Sequence, residues 1–215
     1  MDNILLIASG KGGVGKSTVS TNIAAALASQ GKKVGFLDAD IYGPSGPTML
    51  NLNGKMGVAP GGKIQPLEAY GIKCASFGFI SDAANPVMWR GPMVGKAIKQ
   101  LCFDVNWGKL DYLIIDMPPG TGDVQLSLAQ NLKIEGSIIV TTPQDIALID
   151  AHKAITMFEK LDIPIFGLVE NMAYHTCSKC GNEENIFGEE LNSFSRTKGY
   201  EVLARIPLNI QVRLN

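Results

Sequence analysis

No apolar run in this 215-residue chain approaches the roughly 20 residues that a membrane span needs. The apolar stretch at Ile4–Ala8 is too short and wrongly flanked for a signal peptide. A cytoplasmic protein is the expectation. An excess of one charge is missing too: 19 Lys and Arg against 20 Asp and Glu leave a formal net charge of −1. That argues against a broad basic surface for nucleic acid. Neither terminus supplies the basic amphipathic helix of a membrane cycler. The four cysteines are few for a disulfide scaffold, so they read as thiols or metal ligands in a reducing compartment. No repeat, low-complexity tract or linker divides the chain. Its length suits one domain, residues 1–215, with its own core.

What is present begins with Gly10-Lys11-Gly12-Gly13-Val14-Gly15-Lys16-Ser17-Thr18. This run follows an apolar strand and precedes a helical pattern from Ser20 to Gln30, the setting in which Gly-x-x-x-x-Gly-Lys-[Ser/Thr] marks a phosphate-binding loop. Its glycines let backbone N–H groups turn inward around phosphate oxygens, and the helix N-terminus adds its positive end. Lys16 can reach β- and γ-phosphates, and the Ser17 hydroxyl can ligate Mg2+. Lys11 is the unusual member, because a phosphate loop does not require a second cation there.

Strand and helix signals alternate through the rest. Strands are expected at Lys33–Leu37, Ile72–Phe79, Tyr112–Asp116, Gly136–Thr141, Ile165–Glu170 and Glu201–Ile206, with helices at Val94–Phe103 and Asp145–Leu161. Gly31 is the expected cap of the first helix. Tyr42–Gly62, rich in Gly, Pro and Asn, reads as loop with a short helix near Pro47. Continuous Val/Ile/Leu runs between helices predict an α/β fold, a predominantly parallel sheet covered by helices on both faces. Ligands in such folds sit beyond the carboxyl ends of the strands.

Acids stand at those ends. Asp38 and Asp40, one residue apart, point to the same side of the chain; one can orient an attacking water while the other supports a Mg2+ shell. Solvated turn residues would show the same pattern. Asp116 closes an apolar strand, where phosphate-loop enzymes hold Mg2+ through water. The Gly120-Thr121-Gly122 stretch that follows it has the backbone freedom of a switch loop.

Cys177-Ser178-Lys179-Cys180-Gly181 is the second chemical signal, within a loop at 175–182. Two thiolates at this spacing bind one metal, yet zinc or a [4Fe–4S] cluster needs four ligands. Cys74 and Cys102, with apolar neighbours, read as buried hydrophobes, and His175 as structural. A homodimer with both pairs at a twofold axis supplies the four. A redox pair is the competing reading, and it fits a polar loop poorly. Asn171 and Pro207, each following a strand, are candidates for lying near an adenine base.

With these motifs the chain closely resembles the Mrp/ApbC iron–sulfur cluster carrier ATPases, a branch of the MinD/ParA-like phosphate-loop ATPases, over essentially its whole length. The resemblance rests on the loop from Gly10 to Thr18, Asp38-Ala39-Asp40-Ile41-Tyr42-Gly43-Pro44-Ser45, Asp116-Met117-Pro118-Pro119-Gly120-Thr121-Gly122-Asp123, Thr142-Pro143-Gln144, and Cys177 with Cys180. It implies an ATPase in which Lys11 crosses a dimer interface to the partner's nucleotide and Asp40 orients water. It further implies that Ser17, Asp38 and Asp116 form the Mg2+ environment and that Asn171 recognises adenine. Cys177 and Cys180, with their copies in a second subunit, would hold a bridging [4Fe–4S] cluster for delivery to apo iron–sulfur proteins, in concert with cluster assembly factors. Relatives are expected to carry further N-terminal segments and to continue past the last strand; here the chain closes on Ile210–Asn215.

Three other functions are compatible with parts of the pattern. A positioning ATPase on a membrane or DNA has no use for Cys177 and Cys180. A dimeric ATPase with a structural zinc needs the same four thiolates as the cluster carrier. An electron donor of the nitrogenase-reductase kind draws on widely separated cysteines, unlike this pair.

Overall fold

Residues 3–79, 91–122, 125–126, 128–129, 132–188, 191, 194–195, 199–210 and 212 are described by a computed structural model, with backbone alone for 91–94. Asp123, and Gln211 with 213–215 of the closing segment, lie outside the described residues. The main helices and strands, in chain order, are β1 (Ile4–Ala8), α1 (Lys16–Ser29), β2 (Val34–Asp38), α2 (Gly46–Met49), β3 (Gly57–Val58), β4 (Ile64–Gln65), β5 (Leu67–Ala69), β6 (Ile72–Ser76), α3 (Gly91–Phe103), β7 (Tyr112–Asp116), β8 (Gly136–Thr141), α4 (Asp145–Lys160), β9 (Ile165–Thr176), β10 (Glu183–Glu184) and β11 (Val202–Leu208).

Among the described residues nine strands form one sheet in the order β10-β9-β8-β1-β7-β2-β6-β5, with β11 also paired to β9. The central pairs are parallel, while β5 and β10 add antiparallel partners. Side chains alternate across the sheet. Leu6, Leu37, Leu113, Ile115, Ile139 and Leu168 join one buried cluster with residues of α3 and α4. Ile7, Phe36, Ile114, Val140 and Val169 face the other way, toward Val19 and Ala24 of α1. This two-sided apolar demand is why the strand segments read as unbroken hydrophobic runs. Cys74 and Cys102 are buried within these layers, as their apolar neighbours suggested. Burial raises both thiol pKa values, that of Cys102 to about 12. No helix among the described residues is long and apolar enough to cross a membrane.

Several boundaries differ from the sequence expectation, among them that of α3, which starts at Gly91 and not Val94. α1 starts at Lys16, not Ser20, because Gly15 at φ +82 is its N-cap and the helix grows directly out of the phosphate loop. β6 stops at Ser76 and passes into a 3-10 turn at Phe77–Phe79. β9 runs on to Thr176, so Asn171 lies inside a strand and not after one. Pro207 likewise falls within β11, which pairs with β9 at the sheet margin; an edge strand tolerates a residue with no N–H to donate.

Candidate nucleotide site and cysteine hairpin

β1, β2 and β7 end together at the centre of the sheet. The register pairs Asp38 with Asp116 and Ile7 with Asp116, placing both carboxylates beside the start of the phosphate loop. Lys16, almost wholly buried, donates from Nζ to Asp116 Oδ1 at 2.7 Å and to Ser17 Oγ at 3.3 Å. Ser20 and Thr21 donate their hydroxyls back to Ser17 O, bracing the first turn of α1. Asp116 Oδ2 is buried with no hydrogen-bond partner. An orphaned carboxylate oxygen beside a serine hydroxyl at a helix N-terminus fits a hydrated divalent cation bound to phosphate.

Asp38 is satisfied differently. Its Oδ1 accepts from the Asp40 N–H at 3.1 Å, and its Oδ2 from the Gly46 N–H at 2.9 Å and the Ser76 hydroxyl at 3.2 Å. A Cβ on Gly46 would sit 3.0 Å from Oδ2, so glycine is what lets the backbone approach. Burial, followed by the charge of Asp116, pushes the Asp38 carboxyl up to about 7, against the pull of the two N–H groups and Lys16. Asp38 therefore ties the loop after β2 to the end of β6. Asp40 sits in that loop, half-buried, with Oδ1 accepting from the Gly43 N–H at 3.3 Å.

Two contacts behind the loop were not foreseen: Gln144 stood in the Thr142-Pro143-Gln144 motif without a role, and Gln125 stood in no motif. Gln144, at the N-cap of α4, accepts from Lys11 Nζ at 3.5 Å and so gives the extra loop lysine a side-chain partner. Gln125 donates from Nε2 to Pro118 O and Pro119 O, at 3.1 and 2.7 Å, fixing the loop after β7. That loop also returns to the phosphate loop through Gly120 N–H and Ser9 O at 3.0 Å. Asn171 and Pro207 come together across β9 and β11, where Ile206 is the register partner of Asn171. Asn171 Nδ2 donates to Val14 O at 2.9 Å, inside the phosphate loop.

The cysteines lie at the tip of the β9–β10 hairpin. Thr176 pairs with Glu183, the Cys177 N–H donates to Asn182 O at 2.9 Å, and the Gly181 N–H donates to Cys177 O at 2.8 Å. Gly181 takes φ +73, which closes this turn. Cys177 is half-buried and Cys180 exposed, and neither is in a disulfide. The Lys179 and Cys180 N–H groups and the Cys180 side chain hold the Cys177 thiol below its usual range, favouring thiolate. Among the described residues no three His, Cys, Asp or Glu side chains are grouped to hold a metal ion, so His175 adds no third ligand.

Residues 1–215 match the ParA-class family model described as NUBPL iron-transfer P-loop NTPase. The mouse iron-sulfur cluster transfer protein NUBPL is 50% identical over 213 residues, covering 98% of this chain and 67% of that protein. The iron-sulfur cluster carrier protein of Escherichia coli K12 is 50% identical over 216 residues, covering 98% of this chain and 58% of the other. The chain thus spans about two thirds or less of these two relatives. Among solved structures, a nucleotide-binding protein from Archaeoglobus fulgidus in complex with ADP matches with a TM-score of 0.86 at 39% identity, covering 99% of this chain and 84% of that one.

Proposed function

The chain belongs to the NUBPL iron-transfer P-loop NTPases of the ParA class, and from that premise we propose an ATP-hydrolysing iron–sulfur cluster carrier. It works as a homodimer, holds a [4Fe–4S] cluster between subunits and hands it to apo-proteins. The observation that carries this reading is the hairpin tip: two thiols presented to solvent, one favouring thiolate, with no further ligand grouped beside them among the described residues. A four-thiolate site then requires a second copy of the chain.

At the other site the phosphate loop, Gly10 to Thr18, takes ATP, with Lys16 leaving Asp116 for the β- and γ-phosphates. Ser17 and Asp116 would hold Mg2+, with Asp38 in register beside them adding negative charge to its surroundings. The ion supplies neutralisation of phosphate charge. Asp40 orients the attacking water. Lys11, whose ammonium is held among the described residues by a 3.5 Å bond to Gln144, is placed to swing toward a facing subunit's nucleotide. Asn171 gives one N–H to Val14, leaving its amide oxygen to accept from an adenine amine beside Pro207. Residues 1–215 act as one ATPase domain whose metal-binding part is residues 175–182, the end of β9 and the turn that follows it. Free thiols suit a reducing cytoplasm.

Anaerobic reconstitution with iron and sulfide tests the reading. About four irons and four sulfides per two chains are expected, the content of one bridging cluster. Cys177→Ala and Cys180→Ala should bind none. A full complement retained by either variant contradicts the bridging site, and tight zinc with no uptake of iron makes the metal a structural staple.

A further inference from the structure

Asn171 belongs to the strand that ends at the cysteines, yet its side chain lies against the phosphate loop. The bond from Nδ2 to Val14 O is buried, and the approach is close: a Cβ on Gly15 would stand 2.0 Å from Nδ2. The Val14–Gly15 peptide it touches leads into α1 through the left-handed N-cap at Gly15, where the phosphates are to bind. A shift of that peptide on nucleotide binding therefore meets Asn171 without slack.

On its N-terminal side β9 is clamped in the sheet by the parallel register from Ser137↔Ile165 to Thr141↔Glu170. β8 ends there. Immediately past Asn171, Met172 takes φ +54, a conformation that non-glycine residues seldom adopt, in the middle of the strand. From there β9 is held by β11, whose register slips between Ile206 and Leu208, and by the short β10. The chain then reaches Cys177 in roughly 20 Å at about 3.3 Å per residue. One strand thus joins a tight contact with the nucleotide loop, a kink with irregular pairing, and the thiol hairpin.

We propose that Asn171 is a positioning residue that couples the phosphate loop to the Cys177–Cys180 hairpin through the kink at Met172. Its purpose rests on the carrier reading above, since that reading makes the thiols the cargo site. The coupling runs both ways at equilibrium: whatever factor nucleotide exerts on the affinity of the thiols for their cargo, cargo exerts on the affinity for nucleotide. The element that both sites bias is the β9 segment beyond β8.

Thiol alkylation of the full, reduced, metal-free chain reads this directly, with buried Cys74 and Cys102 as internal controls. Rates at Cys177 and Cys180 are followed by peptide mass spectrometry with and without a saturating non-hydrolysable Mg-ATP analogue. In the wild type the analogue should change these rates by on the order of fivefold. Asn171→Ala, at concentrations that saturate it, should lose most of that change. Met172→Gly keeps the Val14 bond and should bind the analogue as the wild type does, while its thiols respond weakly; it decides alone if Asn171→Ala binds no nucleotide. An unresponsive wild type overturns the proposal, as does a full response in Met172→Gly, the pattern expected if subunit pairing alone shields the thiols. Because no iron is used, this outcome is independent of the reconstitution that tests the carrier reading.

Discussion

Lys16, Asp38 and Asp116 form a buried group of one ammonium and two carboxylates, which leaves Asp38 with an unfavourable charge. Its pKa is raised from 3.8 to about 7 by burial and by Asp116. Between those values the folded chain binds a proton that the unfolded chain has released, so stability attributable to Asp38 is present at low pH and is lost as pH rises toward 7. Asp38→Asn removes this titration at the constant cost of a bond, since an amide nitrogen cannot accept from the Gly46 N–H. The midpoint of thermal unfolding of the variant, minus that of the wild type, should therefore rise by several degrees between pH 5 and pH 8 without nucleotide. A difference independent of pH would mean that Asp38 is ionised throughout. At this scale the reactive residues were legible because phosphate chemistry demands Gly, Lys, Ser and Asp at fixed places. Ser76 and Gln125 were not, since their roles arise from register and packing between distant segments and no local pattern marks them; Gln144 stood in a motif, but its contact with Lys11 comes from packing.

Among elements, the packing of the phosphate loop on α4 is the most demanding. A Cβ on Gly10 would lie 2.1 Å from the carbonyl carbon and oxygen of Asp150, backbone atoms that cannot rotate aside. Gly10→Ala should accordingly cost about 3 kcal/mol in urea unfolding, at the upper end for overpacking, and weaken nucleotide binding. A cost within 0.5 kcal/mol, roughly that of an ordinary surface change, would show that α4 can move away. Strand and helix identities were readable because buried parallel strands are continuously apolar. The ends were less so. β9 outran its apolar run because β11 and β10 pair with the mixed sequence from Asn171 to Thr176. β11 kept Pro207 because a marginal strand pays no ladder bond for it.

On the proposed function, a single molecule presents two incomplete sites. The cysteine hairpin offers two thiols where a metal needs four ligands, and the nucleotide site carries a lysine its own loop does not use. The edge from which the phosphate loop opens is also apolar where solvent would favour charge: Tyr42 is 75%, Ile146 65% and Ile149 57% exposed, all following the carboxyl ends of β2 and β8. A second copy facing this edge would cover those side chains and bring Lys11 to the opposite nucleotide. The central claim is that each nucleotide site is built from two chains, and subunit mixing tests it most directly. Lys11→Ala and Asp40→Ala should each be nearly inactive as ATPases alone. In a mixed dimer the Lys11→Ala subunit keeps its own Asp40 and receives Lys11 from its partner, so one of two sites is complete. Equal mixing should then restore about a quarter of the wild-type rate, as half the dimers are mixed and each has one working site. A mixture no faster than the two variants apart would contradict a shared site and confine Lys11 to its own chain.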